Sequence, residues 1–183
     1  MKKFSGVFTI ILILNANISG AFSNGSPVCD VEADYSNNSM NRPKFQNGGA
    51  YTLETNSDFY LFGDFLEITI SGPEFTGLVV EVENAAGTRL GTFDFMNEPG
   101  IRDCDGGAMS ATHTNNHNNQ TSRTLFWVPP AGVYEDMYVQ AYVLKGTRGN
   151  TSAQEFYRFA RTDTGVNNAL LLKSDVIFTS DLE

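Results

Sequence analysis

The stretch Leu66-Glu67-Ile68-Thr69-Ile70-Ser71-Gly72-Pro73-Glu74-Phe75-Thr76-Gly77-Leu78-Val79-Val80-Glu81-Val82-Glu83-Asn84 decides the fold class of this 183-residue chain. Its first five residues alternate, with Leu66, Ile68 and Ile70 on one face and Glu67 and Thr69 on the other. A period of two belongs to a half-buried strand, because successive side chains leave opposite faces of the backbone. Ser71-Gly72-Pro73 reads as a turn that stops this strand, since glycine and proline punctuate local structure. Residues 77–84 read as the next strand, with Leu78, Val80 and Val82 on one face and Val79, Glu81 and Glu83 on the other.

The same signature recurs outward. Residues 37–49 form a polar loop ahead of a strand at residues 51–54. Downstream, residues 91–95 make a short strand, and residues 109–114 and 122–128 flank the hairpin tip Asn115-Asn116-His117-Asn118-Asn119. Pro129-Pro130 ends the strand that carries Trp127, the single tryptophan, which is expected in the core. Residues 137–144 alternate most cleanly, with Met137, Val139, Ala141 and Val143 on an apolar face and Tyr138, Gln140 and Tyr142 on an amphipathic one. Residues 155–159 complete the set. No repeat of solenoid length and no helical stripe longer than two turns interrupts the pattern. The chain is therefore expected to be all-β, an immunoglobulin-like antiparallel β-sandwich over residues 24–161. Residues 162–183 form an extension whose Leu170-Leu171-Leu172 and Val176-Ile177-Phe178 runs pair at an edge or pack elsewhere.

Residues 1–23 read as a signal peptide. Lys2 and Lys3 precede the apolar run Val7-Phe8-Thr9-Ile10-Ile11-Leu12-Ile13-Leu14, and Ala21-Phe22-Ser23 supplies a small-residue exit. The run is too short for a bilayer span of roughly 20 residues, so no membrane insertion is expected. The mature protein is expected to begin near Asn24 and to be secreted, or periplasmic or on the outer surface in a bacterium. There are 12 basic and 21 acidic side chains, for a net charge of −9. Loss of Lys2 and Lys3 leaves 10 against 21, or −11. This balance opposes nucleic-acid binding, which needs clustered Lys and Arg, and opposes docking on anionic lipid.

Cys29 and Cys104 are the only cysteines. In an oxidising compartment such a pair reads as a disulfide, worth about 4 kcal/mol in the chain-entropy model. Asn24, Asn37, Asn119 and Asn150 each open an Asn-x-Ser/Thr sequon, a glycosylation site in a eukaryotic host.

The order of these features resembles the reeler domain family. The matching pieces are Gly25-Ser26-Pro27-Val28-Cys29, Tyr51-Thr52-Leu53, Ile70-Ser71-Gly72 and Phe75-Thr76-Gly77-Leu78-Val79-Val80-Glu81-Val82. Gly91-Thr92-Phe93, Cys104, Thr112-His113-Thr114 and Trp127-Val128-Pro129-Pro130 follow in order, so that the resemblance covers residues 24–159. It implies an immunoglobulin-like sandwich in secreted or cell-surface proteins, used for binding rather than catalysis.

Little local chemistry competes with that implication. His113 and His117 sit four apart, but in a strand running into a loop, and spacing supplies no third zinc ligand. They are expected to be a half-buried strand histidine and a solvated loop histidine, with no metal. Asp103-Cys104-Asp105-Gly106-Gly107 lacks the twelve-residue calcium-loop pattern and reads as a polar turn presenting the cysteine. No Gly-x-Ser-x-Gly elbow, His-Glu-x-x-His or phosphate-cradling glycine loop occurs, so no catalytic residue and no cofactor is expected. Tyr138, Gln140 and Tyr142, with Tyr134, offer a ligand face, since aromatic rings beside an amide suit sugars or protein partners. The competing expectation is that this face packs on the second sheet or under the C-terminal tail. The chain reads as a secreted, non-catalytic module binding an extracellular protein or glycan on a cell, matrix or microbial surface, in defence or adhesion. Its rivals are a sandwich-fold carbohydrate-active or metal-dependent enzyme using His113 and His117, and a structural matrix or coat protein rich in Asn and Gly.

Overall fold

The computed structural model describes residues 25–26, 28–32, 43–46, 48–96, 99–114, 120–146, 154–161 and 169–174. The leader, the four sequon asparagines Asn24, Asn37, Asn119 and Asn150, His117 and the Val176-Ile177-Phe178 run lie outside these residues. The strands are β1 (Lys44–Gln46), β2 (Thr52–Thr55), β3 (Phe59–Tyr60), β4 (Leu66–Asn84), β5 (Thr92–Asp94), β6 (Ile101–Asp103), β7 (Ser110–His113), β8 (Gln120–Val128), β9 (Met137–Lys145), β10 (Glu155–Phe159) and β11 (Leu170–Ser174).

The turn expected at Ser71-Gly72-Pro73 does not end a strand. β4 runs through it for 19 residues. Its first half pairs antiparallel with β2 and β8, and its second half with β7 and β9. The register slips between Ser71 and Phe75 and again between Phe75 and Gly77, where the strand passes from one layer to the other. Such irregularities bend a strand and raise its twist, which lets one strand serve two sheets. One layer is thus β2, β4, β8 and β5, and the other is β10, β9, β4, β7 and β6. Two pairings depart from an antiparallel sandwich: β1 lies parallel to β10, and β11 lies parallel to β3. Leu170-Leu171-Leu172 of the C-terminal extension join this assembly by pairing with β9.

The space between the layers holds the main core. Ile68, Ile70, Leu125 and Trp127 enter from one side, and Val80, Val82, Val139, Ala141 and Val143 from the other. Full burial of each larger aliphatic side chain contributes about 1.5–3 kcal/mol. Trp127 is fully buried, as expected, and its Nε1 donates to the Leu90 carbonyl at 3.1 Å, so burial leaves no orphan donor.

Glycine is required at the β4 corner. Gly72 has φ +149°, and a Cβ there would lie 2.7 Å from Tyr51 Cδ1 and 2.9 Å from the Ala50 oxygen. Tyr51 closes over the corner by donating its hydroxyl to the Glu74 carbonyl at 3.2 Å. Gly72→Ala is expected to destabilise the fold by about 2 kcal/mol through backbone strain and contact with Tyr51. Gly132→Ala, at a turn where φ is +71° but nothing stands within 4 Å of the added methyl, should cost less. Urea denaturation of the two variants checks the order.

Candidate functional site

The amphipathic face of β9 is covered rather than open. Cys29 and Cys104 form a disulfide with a Cα–Cα distance of 5.4 Å, which ties the N-terminal segment to the loop after β6. Ser26 N donates to Thr112 Oγ1 at 2.9 Å, and Arg89 Nη1 donates to the Cys29 carbonyl at 2.8 Å. Val31 then packs with Val79, Tyr142, Leu144 and Phe156 in a second, smaller core on the outer face of the sheet. Glu32 pairs with Arg158 beside it. Gln140 and Tyr142 are consequently only 1% and 3% exposed, so they do not form an open ligand surface with Tyr138. Tyr142 stacks on Phe156 at 4.8 Å between ring centroids, and Gln140 Oε1 accepts from Arg161 N at 3.1 Å. Tyr138 is half-buried, with the Arg161 guanidinium 5.0 Å from its ring centre, while Tyr134 stands 68% exposed before the strand begins. Among the described residues, Val31 of the N-terminal segment and Phe156 of β10 lie over Tyr142, and Arg161 lies against Gln140 and Tyr138.

A polar row lies beneath that cover. Ser110, Glu81 and Gln140 are neighbours across β7, β4 and β9. Glu81 is 2% exposed, and its Oε1 accepts from Val31 N at 3.0 Å. Arg89 Nε lies 3.7 Å from Oε2. Burial outweighs both favourable contacts and pushes the Glu81 carboxyl up to about 8.

The other sequence candidates are structural in their contacts. His113 is half-buried, and its Nδ1 accepts from Leu78 N at 3.2 Å. Asp103 Oδ1 accepts from the amides of Asp105 and Gly106, and Asp105 Oδ1 from that of Gly107, which makes this loop the polar turn expected. Among the described residues, no group of three or more His, Cys, Asp or Glu side chains is placed to hold a metal ion.

An open apolar surface lies elsewhere, in the connection between β3 and β4. Phe59, Leu61, Phe62 and Phe65 are 54%, 39%, 67% and 56% exposed within seven consecutive residues. The loop is anchored from below. Tyr60 is buried, packs edge-on to Trp127 at 5.8 Å and donates its hydroxyl to the Glu135 carbonyl at 2.6 Å. Leu66 is buried at the other end, and Asp64 N donates to the Leu61 carbonyl at 3.3 Å across the turn at Gly63. Asn56, Ser57, Phe59, Asp64, Phe65 and Pro129 line a groove of about 380 Å³ here. Sequence reasoning missed this surface. The available signal was Phe59-Tyr60-Leu61-Phe62-Gly63-Asp64-Phe65, an aromatic run with neither a strand nor a helix period and with turn residues inside it.

Two outcomes follow from the covered face. The 75-residue separation of the cysteines gives a chain-entropy contribution of about 4.5 kcal/mol, so the Cys29→Ala, Cys104→Ala double variant should lose stability of that order in urea. Glu81 has a folded-state pKa above its unfolded one, so its contribution is most favourable below the ordinary carboxylate range and declines as pH rises towards 8. Glu81→Gln removes that titration. The stability of the native protein relative to this variant should fall between about pH 5 and pH 8, as read by denaturation midpoints across that range.

The reeler domain family model matches residues 32–148. Among solved structures, the human F-spondin reeler domain (fragment 1) superposes with a TM-score of 0.55 at 17% identity, over 73% of this chain and 94% of that one. The Reelin-N domain of F-spondin gives a TM-score of 0.55 at 18% identity, over 78% and 99%. No curated protein matches the chain. At such identities the structural likeness shows the fold, a β-sandwich. The family is one of non-catalytic modules of extracellular type, and because its model spans more than half of the chain, this protein belongs to the reeler domain family.

Proposed function

We propose that the protein works outside the cytoplasm as a non-catalytic ligand-binding module and that the groove between β3 and β4 is its contact surface. The observation that carries this reading is the exposure of Phe59, Leu61, Phe62 and Phe65 on a loop held from below by Tyr60 and Leu66. Single exposed apolar residues are ordinary, but a contiguous anchored group is the kind of patch that marks an interaction site. Anchoring also lowers the ordering cost of binding, because the loop is already shaped.

Several features support export. The leader pattern of residues 1–23 places the mature start near Asn24, and the Cys29–Cys104 disulfide suits an oxidising compartment. Asn24, Asn37, Asn119 and Asn150 then carry glycans if the host is eukaryotic. The ligand is an extracellular molecule on a cell, matrix or microbial surface, and the role is adhesion or defence.

The test is binding of the labelled secreted protein to host cells, matrix and microbial cells, compared with Phe62→Ser and Phe65→Ser. Both residues are exposed, so these variants should melt within about 0.5 kcal/mol of the parent. Each is expected to lower binding about tenfold, as loss of an interface anchor does. Undiminished binding by both variants would remove the groove from the proposal.

A further inference from the structure

We infer that the groove between β3 and β4 takes a cationic, apolar segment of a protein partner, with apolar side chains seated on Phe59 and Phe65 and Lys or Arg beside Asp58 and Asp64. This rests on the groove being the contact surface and adds the chemistry of its occupant.

Charge decides the occupant. Asp64 lines the groove, and Asp58 stands between its lining residues Ser57 and Phe59; both carboxylates are exposed. Lys173 sits opposite Phe59 in the β11–β3 pairing, but its Nζ is 2.6 Å from Asp136 Oδ2, so its charge is already met. Asp64 therefore puts a negative charge on the groove wall, and exposed Asp58 adjoins its lining residues in the chain, on a protein whose net charge is −9. A rim of one sign steers partners of the opposite sign and rejects those of the same sign.

Other occupants fit less well. Anionic lipid meets Asp58 and Asp64, and the basic side chain beside Phe59, Lys173, is paired with Asp136. A second copy of the chain seated on the same patch brings two acidic rims together. The run Val176-Ile177-Phe178 is apolar, but Asp175, Asp181 and Glu183 around it repeat the charge of the rim. A neutral glycan stacks on phenylalanine rings such as Phe59 and Phe65, but it brings no positive charge to Asp58 and Asp64. A protein segment with Lys or Arg around apolar residues meets both the floor and the rim.

The experiment titrates the full chain into two labelled peptides that share the same Leu and Phe residues, one flanked by Lys and one by Glu, with fluorescence anisotropy as readout. The Lys peptide should bind at least about tenfold tighter, and its affinity should drop several-fold as salt is raised to physiological strength. Phe59→Ser and Phe65→Ser should each weaken it about tenfold. Asp64→Asn and Asp58→Asn should each weaken it about threefold, with unchanged far-UV circular dichroism. Equal binding of the Glu peptide, lost in Phe65→Ser, would overturn the cationic occupant and leave the groove standing. Lys-peptide binding indifferent to Phe59→Ser and Phe65→Ser would overturn the groove itself. Tighter binding to phosphatidylserine vesicles than to the Lys peptide would overturn the choice of a protein. Self-association abolished by Phe62→Ser, or markedly tighter peptide binding by a chain ending at Ser174, would make a second copy or the chain's own tail the occupant instead.

Discussion

A strand can belong to two sheets only if its backbone turns without giving up its hydrogen-bonded ladder. β4 meets that constraint at residues 72–75, and the rest of the sandwich is arranged around it. On one side of the corner, Leu66, Ile68 and Ile70 face the core beside β8; on the other, Val80 and Val82 face it beside β9. Gly72 makes the bend sterically available, and Tyr51 packs into the space that any side chain there would occupy. Because the layers are joined by covalent backbone at this point, the inward faces of both halves are set together, and the pairings of β2, β7, β8 and β9 follow from the two halves of one strand.

The second organising feature is asymmetry between surfaces. β9 is buried on both faces, so its outward side chains need a cover that the second sheet cannot supply. The N-terminal segment provides part of it, fastened by the disulfide and by contacts from Arg89 and Glu81. A buried carboxyl pushed up to about 8 is an expensive fastening, and its partner Arg89 is shared with Asp30 and Asp105. The loop between β3 and β4 is the opposite case. It keeps large apolar side chains in solvent above a base of Tyr60, Trp127 and Leu66 that belongs to the core.

Much of this was legible in the residues. The alternation at 66–70, 77–84 and 137–144, the isolated cysteine pair and the ordered reeler-like pieces identified an all-β sandwich closed by one disulfide. Strands such as β1, β3 and β6 were not legible, because two or three residues carry no period and pair only when neighbours are already in place. The corner of β4 is ambiguous in sequence, because Gly-Pro signals a break in the chain direction and a bulge inside a long strand uses the same residues. The face of Tyr138, Gln140 and Tyr142 reads in sequence as either an open ligand face or a packed one, because aromatic rings beside an amide suit both. Which element lies over a face is a long-range matter, and among the described residues Val31, more than a hundred positions earlier, is part of the cover. The aromatic loop carries no readable signal of exposure, because that depends on Tyr60 pointing inward while its neighbours do not, and composition does not distinguish them.

The central claim is that the exposed surface for partners lies on the loop between β3 and β4 and not on the outer face of β9. Radical or carbene footprinting of the free protein, read residue by residue by mass spectrometry, tests it most directly. Strong labelling at Phe59, Phe62 and Phe65 with protection of Tyr142 and Phe156 is the result this structure predicts. Protection of the three phenylalanines together with strong labelling of Tyr142 would contradict it.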